Sequence, residues 1–125
     1  MNENVFQTIL DKIIDYVPEG WNKIVFYSCY TNGSYSMKFY VKKSDNTYID
    51  CFSIPGVSRG SLIKTFIDID KIISSQRNDF EEDKRWTVLT MTVDNDGNMK
   101  TNYEYDDHSE DMIKYEEKWK NNNLI

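Results

Sequence analysis

The stretch RWTVLTMTVDNDGNMKTNYEYDD, residues 85–107, decides the fold because it alternates on both sides of a turn. In its first half Thr87, Leu89, Met91 and Val93 fall on one face, and Trp86, Val88, Thr90 and Thr92 on the other. After the turn, Met99, Thr101, Tyr103 and Tyr105 oppose Lys100, Asn102 and Glu104. Strict period-two alternation means strands with one buried and one wet face. Between them, Asp94-Asn95-Asp96-Gly97-Asn98 holds Asp-Gly and asparagines, which tolerate the positive φ of a tight reversal. The segment predicts a β-hairpin whose second strand runs into a crowd of carboxylates.

Working outward, the residues before the hairpin predict a long helix from Ser58 or Ser61, either a suitable N-cap, to about Glu82. Leu62, Phe66, Ile69, Ile73 and Phe80 mark its buried side, and Ile63, Ile67 and Ile72 widen it. Pro55-Gly56 separates this helix from an earlier set of strands at residues 21–30, 35–42 and 48–54. The first two are joined by Thr31-Asn32-Gly33-Ser34, an Asn-Gly hairpin signal. The second alternates with Tyr35, Met37, Phe39 and Val41 inward, and Ser36, Lys38, Tyr40 and Lys42 outward. At the front, Val5, Phe6, Ile9, Leu10, Ile13, Ile14 and Val17 recur at three- and four-residue steps, an amphipathic helix closed by Pro18 and Gly20. At the back, a short helix starts at Ser109 with Met112, Ile113, Tyr115 and Trp119 apolar, and residues 121–123 form a frayed polar end.

The order α-βββ-α-ββ-α predicts an α+β fold: an antiparallel sheet of about five strands with the helices packed mainly on one face. At 125 residues the chain makes one domain, residues 1–125.

Charge is unevenly placed. Residues 1–93 carry twelve acids and eleven bases, a balance of −1, whereas residues 94–125 carry nine acids and four lysines, a balance of −5, which together give the net −6. Such a field repels nucleic acid and anionic membrane, so neither is expected as a direct partner, and it speeds association with a basic protein. Cys29 and Cys51 show no CxxC spacing and read as reduced, buried thiols. The opening MNENVFQTILDK lacks a basic segment ahead of an apolar one, and no apolar run reaches membrane-spanning length, so a cytoplasmic protein is expected.

Chemistry-bearing motifs are sparse. An EF-hand loop starting at Asp94 would need glycine at position 99 and glutamate at 105, where Met99 and Tyr105 stand, so a hairpin turn is the stronger reading. Asp106-Asp107-His108 contains the single histidine, and on an extended segment Asp106 and His108 point the same way. With no second ligand cluster and no nucleophile motif, neither a metal nor a cofactor nor a catalytic site is expected. Lys38, Lys42 and Lys43 form the nearest approach to a basic patch and read as guards of an exposed strand. Trp21, Trp86 and Trp119 each open or close an element, where a large ring seals a core edge. What remains is an acidic, tyrosine-bearing surface from Glu104 through Glu117, suited to a basic cleft.

Several stretches together resemble the YezG-like immunity proteins of low-GC Gram-positive bacteria, antitoxins to secreted polymorphic toxins that carry nuclease domains. They are Val17-Pro18-Glu19-Gly20-Trp21, Lys23-Ile24-Val25-Phe26-Tyr27, Ile54-Pro55, Arg77-Asn78-Asp79-Phe80-Glu81-Glu82, Trp86-Thr87 and Tyr103-Glu104-Tyr105-Asp106-Asp107. The resemblance implies a non-enzymatic cytoplasmic protein that binds and blocks the C-terminal nuclease domain of a cognate toxin. On that reading Glu104, Asp106, Asp107, Glu110 and Asp111 meet toxin lysines or arginines, while Trp86 and Tyr105 add buried contact. A rival reading is a small hydrolase or nuclease using His108 with Asp106. Another is an interaction module unrelated to toxins, forming a homodimer along an exposed strand.

Overall fold

In the computed structural model, which describes residues 3–125, the sheet has the order β3-β2-β1-β4-β5 and every neighbouring pair is antiparallel. The strands are β1, Lys23–Thr31; β2, Ser34–Lys42; β3, Tyr48–Asp50; β4, Val88–Asp94; and β5, Met99–Glu104. The helices are α1, Glu3–Ile13; α2, Arg59–Asn78; and α3, Met112–Asn123. The α+β class and the order of elements are as the sequence predicts. Met1 and Asn2, which open the segment expected to lack an export signal, lie outside the described residues.

α1 and α2 lie on one face of the sheet. Val5, Phe6, Ile9 and Ile13 of α1, with Leu62, Phe66, Ile69 and Ile73 of α2, pack on Ile24, Phe26, Phe39, Val41, Leu89, Met91 and Val93. Each such side chain contributes about 1.5–3 kcal/mol when buried. Surface ion pairs such as Lys84–Glu81 or Lys120–Glu117 contribute about 0–1 kcal/mol each. The apolar stripes therefore decide how these helices dock.

α3 covers the opposite face. There Trp119 packs on Val25, Tyr27, Cys29, Tyr40 and Val88, a second and smaller core. Its ring lies 4.6 Å from that of Tyr27 and 5.7 Å from that of Tyr40, and its Nε1 donates to Thr90 Oγ1 at 2.8 Å. β1 is consequently buried on both sides from Ile24 to Tyr30. Tyr40, expected to face water, lies beneath α3 and is buried.

Local boundaries differ from the sequence pattern where a side chain intervenes. The third strand stops at Asp50 instead of reaching Ile54, because the Asp50 carboxylate accepts from the Phe52 amide and caps a 3-10 turn at Cys51–Ser53. Ser58 caps α2 as expected, accepting from Ser61 N. The far end stops at Asn78, where the Arg85 guanidinium donates to the carbonyls of Asn78 and Phe80. Phe80, Ile63 and Ile67, expected to face the core, are exposed. α3 begins at Met112 and not at Ser109; Ile113 points to solvent, and the polar residues 121–123 continue the helix. The two cysteines are free thiols buried on opposite faces, and burial pushes the Cys51 thiol up to about 12.

The β4–β5 turn is held by its first residue. Asp94 Oδ1 accepts from the amides of Asp96 and Asn98, and Oδ2 accepts from Asn98 Nδ2, while Gly97 takes φ 88°. Those bonds, the Asn98 amide first, hold the Asp94 carboxyl below the usual carboxylate range. The carboxylate that would have opened a calcium loop is thus consumed by the turn.

Candidate partner-binding surface

Residues 105–111 connect β5 to α3 across an open end of the sheet, and the sequence offers them few apolar groups with which to pack. They are fixed by polar contacts instead. Thr87 Oγ1 donates to the Asp106 carbonyl at 2.6 Å. Asp107 Oδ1 accepts from the Ser109 amide and hydroxyl, and Ser109 Oγ in turn accepts from the Asn32 amide in the β1–β2 turn. The Ser109 bonds lower the pKa of the Asp107 carboxyl. His108 is the buried pin: its ring stacks on Tyr115 of α3 at 3.7 Å, and Nδ1 faces Asp111 Oδ1 at 3.0 Å. Three elements therefore hold one short loop.

Alternation along the extended segment divides the expected site residues between two grooves. Glu104, Asp106 and Asp111 line a groove beside α3, which also contains Lys114 and Lys118. Tyr105 and Asp107 line another on the far side of the loop, with Arg77 and Arg85. Glu110 stands at the approach to α3. The acidic groups thus share a loop but not a single face, and lysines or arginines stand in each groove. The sequence reading missed those cations; Lys114 and Lys118, one turn apart on a helix, were the available signal.

Trp86 is not a surface contact. Only 3% of it is exposed, and it packs against Tyr30 and Tyr103, with the Arg77 guanidinium 5.7 Å above its ring. Arg77 Nε also donates to the Trp86 carbonyl at 2.6 Å. Trp86 belongs to the main core, and its carbonyl and ring hold Arg77, which lines the Tyr105 groove. Tyr105 itself is 61% exposed, its ring turned to solvent at this end of the molecule.

The pairing of His108 with Asp106, which a hydrolytic reading needs, is replaced by pairing with Asp111 and Tyr115. Among the described residues, no cluster of three or more His, Cys, Asp or Glu side chains is placed to hold a metal ion. No helix among them is long and apolar enough to cross a membrane. His108→Ala is expected to cost about 1–3 kcal/mol through the lost stack and hydrogen bond. It should also speed amide hydrogen exchange across residues 105–111; unchanged protection there would show that the histidine does not anchor the loop.

Known proteins resemble this chain over most of its length. It is 29% identical over 112 residues to "Immunity protein YezG" of Bacillus subtilis (strain 168), covering 84% of this chain and 74% of that protein. It is 24% identical over 110 residues to the protein of the same name from Bacillus spizizenii, covering 83% and 68%. The family model described as "Immunity protein YezG-like" matches residues 2–124. With the family model matching nearly the whole chain and two relatives of that name aligned over more than four-fifths of it, the chain belongs to the YezG-like immunity protein family.

Proposed function

We propose that this chain is an antitoxin that works in the cytoplasm, binding and neutralising the C-terminal nuclease domain of a cognate secreted polymorphic toxin. It acts by occupying a surface and performs no chemistry of its own. The supporting observation is the state of residues 105–111: the exposed Asp106 and Glu110 carboxylates and an exposed tyrosine are carried on a loop already fixed by Thr87, Asn32 and the His108–Tyr115 stack. A loop ordered before binding loses little conformational entropy when it docks. A nuclease cleft must be basic to hold phosphodiesters, and that cleft is what an acidic loop complements.

The test is to mix the purified chain with the nuclease domain of its cognate toxin at low salt. The two are expected to elute together from a sizing column, with DNA or RNA cleavage suppressed at equimolar ratio. Separate elution with undiminished cleavage rejects the proposal.

A further inference from the structure

β5 is an edge strand with nothing paired to its outer side among the described residues. The phase of its ladder follows from the turn: Asp94 N donates to Asn98 O at 3.0 Å, so the pairs Thr92–Lys100 and Thr90–Asn102 share that hydrogen-bonded phase. Lys100 and Asn102 therefore spend their backbone groups on β4, and Thr101 and Tyr103 aim their amides and carbonyls away from the sheet. Lys100, Thr101 and Asn102 are exposed. An open edge of this length is a template for another strand unless its side chains forbid pairing.

The side chains favour one partner. Lys100 and Glu104 lie symmetrically about Asn102, on the same face of the sheet, and neither forms an ion pair among the described residues. Four residues apart on a strand they are about 13 Å from one another, too far to pair within one chain. We propose that β5 pairs antiparallel with β5 of a second copy of this chain, on a two-fold axis through Asn102. In that register Thr101 and Tyr103 exchange backbone hydrogen bonds with Tyr103 and Thr101 of the second copy, as the outward phase requires. Lys100 then stands directly across from the second copy's Glu104, twice, in the non-hydrogen-bonded positions where side chains approach most closely. A lone lysine on an edge repels a like strand; a lysine and a glutamate balanced about the axis attract it. Such a contact is isologous and closes at two copies, joining two five-stranded sheets into one. One strand pair is a small interface, so the dimer is weak and depends on concentration. The proposal shares Glu104 with the expected toxin surface, but the mass of the chain alone, with no toxin present, tests it separately.

Sedimentation equilibrium over about 10 μM to 1 mM chain tests it. The wild-type mass is expected to rise toward two chains. Lys100→Glu and Glu104→Lys, each turning two attractions into repulsions, are expected to weaken the dimer about tenfold or more. Combining them restores opposite charges across the axis and should return the dissociation constant to within about threefold of wild type. Thr101→Pro removes an outward amide and should abolish the dimer, with the circular dichroism of the monomer retained. A wild-type chain that stays monomeric throughout overturns the proposal, as does a double variant no tighter than the single ones.

Discussion

Trp119→Ala is expected to lower the stability of the whole chain by about 3–5 kcal/mol, the range for removing a buried Trp or Phe side chain. For a domain of this size that corresponds to a fall in Tm of roughly 10–20 °C. The size follows from how α3 is attached. Trp119 is the one α3 side chain that is fully within the second core, and its ring covers Tyr27 and Tyr40 while its Nε1 satisfies the buried Thr90 hydroxyl. Beneath the same helix the Tyr27 and Tyr40 hydroxyls, and on it Glu116 Oε1, are buried with no hydrogen-bond partner among the described residues. Burial, with a smaller contribution from the charge of Glu116, raises the pKa of both tyrosines, so these groups stay neutral hydroxyls. Such groups cost free energy and do not secure the helix. With the indole gone, α3 keeps only the partly buried Met112, Tyr115 and Leu124 and the His108–Tyr115 stack, and the face of β1 beneath it becomes a sticky surface. Urea unfolding gives the energy, and hydrogen exchange in residues 112–123 separates local detachment from global loss. A change below about 1 kcal/mol would mean that α3 is held by contacts other than the indole.

The sequence showed the hairpins and the helical stripe of α1 clearly, because alternation and the i, i+3, i+4 repeat are local and Asn32-Gly33 and Asp96-Gly97 mark the reversals. The second core was also written there, though in a different form. Residues 24–27, Ile-Val-Phe-Tyr, are continuously apolar, the mark of a strand covered on both faces rather than one. Attention to the alternating strands hides that signal and sends Tyr40 to the solvent side. Trp86 is a related case. Alternation puts it opposite Leu89, but it stands just before β4 begins, so the period does not bind it and the ring turns into the main core. The acidic loop was legible as composition only. Its division into two grooves depends on Thr87, Asn32 and Tyr115, partners 7 to 77 residues away in sequence, which no local pattern reveals.

Reversing charge at Asp106 and Glu110 together, each to lysine, is expected to slow association with the toxin nuclease domain by about tenfold or more at low ionic strength. These two positions isolate the electrostatic effect. Both are exposed, and neither carboxylate holds a hydrogen bond or ion pair among the described residues. Folding should therefore change by no more than about 0.5 kcal/mol. Asp107 and Asp111 are poorer choices, since one fastens Ser109 and the other faces His108, and reversing either would disturb the loop as well as its charge. The dissociation rate should move less than the association rate, because exposed charges mainly steer the encounter. The difference between variant and wild type should also shrink as salt rises and the screening length falls from about 10 Å at 0.1 M toward about 3 Å at 1 M. Stopped-flow association across a salt series reads all three quantities. If the doubly reversed chain associates as fast as wild type at every ionic strength, the loop is not what the toxin meets, and the exposed apolar groups on α2, Ile63 and Ile67, become the next surface to change.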